Sequence, residues 1–205
     1  MGLYSRHVFP RLMDVALGSR THAAIRRRVC AELSGDVVEI GFGTGHNLPF
    51  LPPTVRSLRV VDPSGVGFRL ARRRIEAAAV TVEAVGLDGQ RLPLPDDSAD
   101  AVLSTWTLCS IPDAVAALRE VRRVLRPGGR LHFVEHGLAP DASVARWQHR
   151  LDPLQQRLAA GCHLDRDIPA LLDAGGLRVT ALKRYYAPGE PRFVGSLYEG
   201  EAVPA

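Results

Sequence analysis

Short β-branched runs alternate with longer helical stretches along almost the whole chain, and that alternation leaves few folds open. Residues 37–40, 57–61, 81–85, 101–105, 130–135, 178–183 and 192–198 read as strands. Residues 22–33, 65–79, 114–125, 144–159 and 168–174 between them read as helices. Strands separated by helices of this length form parallel βαβ units. The early run Val37-Val38-Glu39-Ile40 is apolar on both faces, as a strand covered by helices on both sides should be. Arg126-Pro127-Gly128-Gly129 and Ala174-Gly175-Gly176 punctuate helix ends, and Pro93, Pro95 and Asp96-Asp97 mark a loop. The last two strands follow each other without a helix, so they should pair antiparallel. The expectation is an α/β fold with a seven-stranded, mostly parallel sheet, its last strand antiparallel and helices on both faces.

Composition agrees with a globular chain. The 205 residues are 46% hydrophobic and 23% charged, enough for one ordinary domain with a real core. The formal net charge of +4 includes two triple-arginine runs, Arg26-Arg27-Arg28 and Arg72-Arg73-Arg74. Either run is a possible phosphate patch, but each is flanked by apolar positions and reads better as the solvated face of a helix. Cys30, Cys109 and Cys162 are far apart and form no CxxC pair. That spacing indicates neither a zinc site nor a disulfide scaffold, so no metal is expected, and it fits a cytoplasmic protein. The N-terminal stretch is amphipathic and broken by Pro10, without an apolar run of signal-peptide or membrane-spanning length.

The segment Val37-Val38-Glu39-Ile40-Gly41-Phe42-Gly43-Thr44-Gly45-His46-Asn47 is a strand, a glycine turn and a helix start. Its glycines stand at 41, 43 and 45, not in the G-x-G-x-x-G spacing of a dinucleotide fingerprint. Glu39 would repel a pyrophosphate there and suits a ligand with a cationic amino-acid end. A glycine turn of this kind also occurs for structural reasons alone. Asp62 ends the second strand in Val60-Val61-Asp62-Pro63, where a carboxylate accepts hydrogen bonds from both ribose hydroxyls or caps the helix that follows. Asp88-Gly89 after the third strand is either an adenine reader or an ordinary turn.

EIGFGTGHN, VVDPS, LDGQRLPLPDDSADAVLST and VLRPGGRLHFVEH, in order over roughly residues 35–137, resemble the motif series of class I S-adenosylmethionine-dependent methyltransferases. The resemblance implies a Rossmann-like fold and S-adenosylmethionine as cofactor, released as S-adenosylhomocysteine. It implies that Glu39, Gly41, Gly43, Thr44, Gly45 and Asn47 line the methionine end, Asp62 takes the ribose, and Asp88 and Gly89 take the adenine. Pro63 would lie against the adenine face and Thr105 near the sulfonium. Residues 1–205 then divide into N-terminal cap helices (1–34), a cofactor-binding core (35–137), a lid insertion (138–176) and terminal strands (177–205).

WTLCSIPD, ALREVRRVLRPGG, EHG, RWQHRLDPLQQ and GCHLDRDI are similar to the group that includes the mammalian alkyl-thiol methyltransferases and bacterial relatives, without the mammalian membrane anchor. The implied acceptor is a small, apolar molecule, a thiol in particular, with a quinol or phenol as the alternative. His136 is the candidate base or orienting group, unless it only caps its strand. Trp147 with Leu151 and His163 should border the acceptor from the lid, and Tyr4, His7 and Phe9 are candidates for a second lid. Cys109, with no base nearby in sequence, reads as a buried small hydrophobe. An RNA methyltransferase is disfavoured because there is no aromatic and basic stacking platform. Where a base-methylation motif would stand, the chain has Ser104-Thr105-Trp106-Thr107. No nucleic-acid partner is expected. A cofactor-binding module without turnover and a nicotinamide oxidoreductase are the remaining alternatives.

Overall fold

The computed structural model describes residues 8–205. Seven strands form one sheet: β1 (Gly35–Ile40), β2 (Val55–Val61), β3 (Thr81–Gly86), β4 (Ala99–Thr105), β5 (Leu125–His136), β6 (Leu177–Tyr186) and β7 (Ser196–Pro204). Their order is β3-β2-β1-β4-β5-β7-β6. All neighbours up to β5 pair parallel, and β7 runs antiparallel to both β5 and β6. The helices are α1 (Phe9–Ala16), α2 (Arg20–Cys30), α3 (Gly65–Glu76), α4 (Ala114–Val124), α5 (Ala142–Leu158) and α6 (Ile168–Ala174). None of them is long and apolar enough to cross a membrane.

Successive side chains of a strand point to opposite faces, and the core splits accordingly. Val38, Ile40, Val102, Leu131 and Phe133 pack with Leu118, Val121 and Leu172 of α4 and α6. Val37, Leu58, Val60, Leu103 and Val134 pack on the other face with Ile25, Val29, Cys30 and Ala71 of α2 and α3. The same alternation carries Glu39, Thr105 and His136 onto the α2 face at the carboxyl ends of their strands. Ser64, Asp113 and Asp167 cap α3, α4 and α6 by accepting backbone N–H bonds from the first turn, so each helix starts where its strand's loop ends.

The structure departs from the sequence expectations in four places. Pro10 opens α1 instead of breaking it, because proline at the first helical positions removes only an N–H that has no helical partner. The Arg126–Gly129 turn is an excursion within β5, whose pairing with β4 jumps from Ala99↔Leu125 to Ala101↔Arg130. The last strand is residues 196–204, not 192–198. Residues 191–195 make a turn closed by Pro191 O. The glutamates of that strand have partners: Glu199 with Arg28 and Tyr185, Glu201 with Arg130. Finally, the first arginine run is a solvated face only at Arg27 and Arg28. Arg26 is 3% exposed, because the buried stripe of α2 runs His22, Ile25, Arg26, Val29, Cys30.

Candidate active site

The sheet reverses its winding between β1 and β4, and the crevice outside their carboxyl ends is where open α/β sheets hold ligands. The glycine turn leaves β1 at that point with Gly41, Gly43 and Gly45 all at positive φ (75°, 56° and 75°). A Cβ on Gly41 would overlap Thr107, whereas one on Gly43 would meet nothing nearer than Gly41 O at 4.0 Å. Gly43 therefore offers bare backbone to the crevice.

Asn47 Nδ2 donates to Glu39 Oε1 (2.7 Å) and Thr105 Oγ1 (3.0 Å). Arg26 comes down from α2, donates to Leu17 O (2.8 Å) and places its guanidinium 4.7 Å from the Trp106 ring centre. Burial pushes the Glu39 carboxyl up to about 8 against the pull of Asn47 and Arg26, and lowers Arg26 to about 10. Glu39 Oε2, Asn47 Oδ1 and Arg26 Nε are buried without a hydrogen-bond partner among the described residues. Orphaned buried polar atoms are costly and call for an explanation. Two acceptors beside a carboxylate and one donor on a guanidinium fit a zwitterionic amino-acid end: its ammonium on Glu39 and Asn47, its carboxylate on Arg26.

Asp62 Oδ2 accepts the Gly43 N–H and Oδ1 the Ser64 N–H, each at 2.7 Å, so the carboxylate ties the glycine turn to the end of β2. Ser64, not Asp62, is the helix cap. Pro63 is exposed beside it. Asp88 is exposed, and its Oδ1 accepts the Gln90 backbone and side-chain N–H groups at 2.9 Å in an Asp-Gly turn; Gly89 is half-buried. Thr44 is buried, and its carbonyl accepts from Arg74, which also pairs with Asp14 of α1 (both 2.9 Å). Asp14 pairs with His46 as well (3.0 Å), fastening α1 to the glycine turn.

A cleft of about 630 Å³ adjoins these residues on the α2 face. Trp106, Cys109 and His136 line it from the sheet side, Met13 from α1, Gln155 from α5, and Glu190 from the β6–β7 connection. Trp106 sits at φ 51°, a conformation rare for a bulky residue. His22, edge-on at 4.9 Å, and Arg26 pack against its ring. His136 Nδ1 is 3.5 Å from Cys162 Sγ, which is 3.6 Å from Cys109 Sγ. Burial lowers the His136 pKa, but Cys162, Glu135 and Glu190 outweigh it and leave the imidazole above its ordinary value. Glu135 points to the other face, where it accepts from Ser104 Oγ (2.7 Å) and from the backbone N–H groups of Thr107 (2.8 Å) and Cys109 (3.4 Å).

Three expectations about the acceptor side are corrected. Cys109 is buried, yet it faces a second thiol and an imidazole and is not a mere hydrophobe. Trp147 is 57% exposed under Arg150, because its side of α5 faces solvent; Gln155 and Ala159 of the same segment line the cleft instead. His163 turns from the cleft to Asp152 (3.3 Å) and Gln156 (3.1 Å), a contact that fixes the loop. Tyr4 and His7 lie outside the described residues. Arg26, Gln155, Cys162 and Glu190 were not anticipated as site residues. Only Arg26 carried a local signal, its place in the apolar stripe of α2; the others come from distant segments.

A family model described as a methyltransferase domain matches residues 38–133. The human thiol S-methyltransferase TMT1B is 32% identical over 95% of this chain and 85% of its own length. That match decides the family. The chain belongs to the class I S-adenosylmethionine-dependent methyltransferases. The rat TMT1B is 37% identical over a shorter stretch, 64% of this chain and 55% of the rat protein. Among solved structures, a methyltransferase from Thermotoga maritima superposes with TM-score 0.68 at 21% identity, over 98% of this chain and 99% of that one. The methyltransferase fold thus extends over the terminal strands as well as residues 38–133.

Proposed function

We propose that this methyltransferase transfers the methyl group of S-adenosylmethionine to a small, apolar acceptor, a thiol in particular. The observation that carries the donor half is the set of orphaned atoms on Glu39, Asn47 and Arg26, complementary to the donor's amino-acid end. In this reading Gly41, Gly43, Thr44 and Gly45 shape the turn under the methionine part, and Thr105 faces the sulfonium. Asp62 accepts from the ribose with its remaining lone pairs. Pro63, Asp88 and Gly89 edge the adenine. The acceptor enters the neighbouring cleft, where Trp106 and Met13 give an apolar surface and His136 is part of the lining. The similarity to the thiol S-methyltransferases supports the acceptor class.

The sulfonium supplies an already activated methyl group with a neutral thioether leaving group. The protein's work is alignment of the acceptor's lone pair with the S–CH3 bond, an effect that near-attack placement makes worth about 7–11 kcal/mol. Trp106 immediately follows Thr105, so one strand end joins the donor residues to the acceptor cleft.

Calorimetry should show S-adenosylmethionine and S-adenosylhomocysteine binding and NAD not binding. Asp62→Ala should weaken donor binding about 10- to 100-fold, the worth of a charge-assisted hydrogen bond of about 1.5–3 kcal/mol. Donor affinity unchanged in that variant would remove Asp62 from the ribose. A turnover screen with labelled donor across alkyl thiols, phenols, quinols, amines and RNA should give methylated thiol. Methylation of a phenol or quinol alone would keep the enzyme class and reject the thiol.

A further inference from the structure

Cys109, His136 and Cys162 each offer a ligand atom, and these atoms lie within 4.8 Å of one another at the wall of the acceptor cleft. A tetrahedral zinc ion with bonds of about 2.3 Å to sulfur and about 2.0 Å to nitrogen holds its sulfurs about 3.8 Å apart. The same geometry holds a sulfur and a nitrogen about 3.5 Å apart. The two thiols here are 3.6 Å apart, and Cys162 Sγ is 3.5 Å from His136 Nδ1. Two of the triad's three edges thus already stand at the lengths of a zinc tetrahedron, and the third, between Cys109 and His136, lies within 4.8 Å.

The backbones that carry them are fixed independently of any ion. Glu135 Oε2 accepts the Cys109 N–H and holds the 107–109 turn to the end of β5. The His163 N–H donates to Cys109 O (2.8 Å), which locks the Cys162 segment onto the same turn. His136 is the last residue of β5. Second contacts that hold ligands in place are what a preorganised metal site requires. Two thiolates and one imidazole are a soft set that selects zinc over the hard cations, and two thiolates neutralise its charge in this buried corner. Three protein ligands leave one position open, and all three side chains line the cleft together with Trp106 and Met13.

We propose that Cys109, His136 and Cys162 bind a zinc ion whose fourth position takes the acceptor thiol as its thiolate; this rests on the thiol reading above. Cys109 and Cys162 give up their protons to solvent when the ion binds. The acceptor R–SH loses its proton to solvent on entering the fourth position. A sulfur lone pair then forms the new bond to the methyl carbon as the old S–CH3 bond breaks. Its electrons stay on the donor sulfur, giving S-adenosylhomocysteine, and the neutral thioether R–S–CH3 leaves the ion. The site activates the thiol without a general base.

The test uses the full chain, reduced with a phosphine and loaded with zinc or cobalt(II). One equivalent of zinc should remain after dialysis. The cobalt form should show cobalt–sulfur charge-transfer absorption that shifts when an alkyl thiol is added. Cys109→Ser, Cys162→Ser and His136→Ala should each weaken zinc binding more than tenfold, while S-adenosylhomocysteine binding reports that the fold persists. Cys30→Ser, a buried cysteine outside the cluster, should change neither. Chelation should abolish thiol turnover and zinc should restore it. Absence of bound zinc in the reduced protein overturns the site, whatever the acceptor. Cobalt without the sulfur absorption also overturns it, since the ion then sits on an oxygen and nitrogen set such as Asp152, His163 and Asp165. Thiol turnover that survives chelation overturns the role of the ion. Bound zinc with the sulfur absorption, but with a phenol as the only substrate, overturns the thiol reading while the metal site stands.

Discussion

Glu39→Gln should weaken S-adenosylmethionine binding about 10- to 100-fold at pH 8.5, and the gap to the wild type should close as the pH falls to 6. The size follows from exchanging a carboxylate for an amide opposite an ammonium, about 1.5–3 kcal/mol for a charge-assisted bond. The pH dependence follows from burial. In the free protein the Glu39 carboxyl titrates at about 8, raised by desolvation, with Asn47 and Arg26 of α2 pulling it down and Asp62 pushing it up. The bound ammonium favours the ionised form, so donor binding lowers that pKa and expels a proton. Between the bound and free pKa values affinity therefore rises with pH, by up to about tenfold per unit, and levels off above about 8. The glutamine variant has no proton to expel there and should be flat over the same range. Calorimetry at several pH values, repeated in buffers of different ionisation enthalpy, reads both the affinity and the proton. A wild type that binds equally at pH 6 and 8.5, with no proton released, would contradict the placement of the ammonium on Glu39.

Gly41→Ala should lose about 2–5 kcal/mol of stability, read as a lower urea midpoint with an unchanged slope. Two costs add. An L-residue at φ 75° is strained by about 1–2 kcal/mol. The new Cβ also has no room: it would overlap Thr107 Oγ1 and Cγ2 and lie 2.7 Å from Thr107 Cβ, an overpacking cost of about 1–3 kcal/mol. Adding Thr107→Ala removes the two nearest atoms and should recover part of the steric loss but none of the backbone strain. Gly43→Ala is the contrast. Its Cβ meets open space, so it should be milder for the ligand-free fold and harsher for donor binding, because the methyl projects into the crevice. Equal stability losses in the two variants would show that crowding by Thr107 contributes nothing.

Local demands of the backbone were legible without coordinates. Strand and helix alternation gave the order of elements, because burial on one or both faces imposes its period on contiguous residues. Gly41, Gly43 and Gly45 were legible because a turn that needs positive φ admits few other residues. Glu39 and Asn47 were named from the motif, and the structure joins them at 2.7 Å. Those eight residues of separation are one strand end and one turn, a distance over which local geometry leaves little freedom.

Contacts between distant segments were not legible. The last strand read as residues 192–198, short of Glu199 and Glu201, which pair with Arg28, Tyr185 and Arg130 from distant segments. The proline of α1 read as a break because its position relative to the helix start depends on where the helix packs. Trp147 read as an inner lid residue, but α5 buries Val144, Gln148 and Asp152, the last two bonding the 137–139 and 164 segments, and leaves Trp147, Leu154 and Leu158 exposed. Cys109 and His136 are 27 residues apart, Cys162 another 26 beyond, and no sequence spacing marks them as one cluster. They meet because β4 and β5 end side by side in a parallel sheet and the segment after α5 folds back over that edge. By itself the sequence determined the order of the strands and helices and the glycine turn after β1, though not the bounds of the last strand, because that order depends on neighbours along the chain. The tertiary structure alone decided which side chains share the cleft beside Trp106, because that depends on how loops from separate crossovers pack at one edge of the sheet.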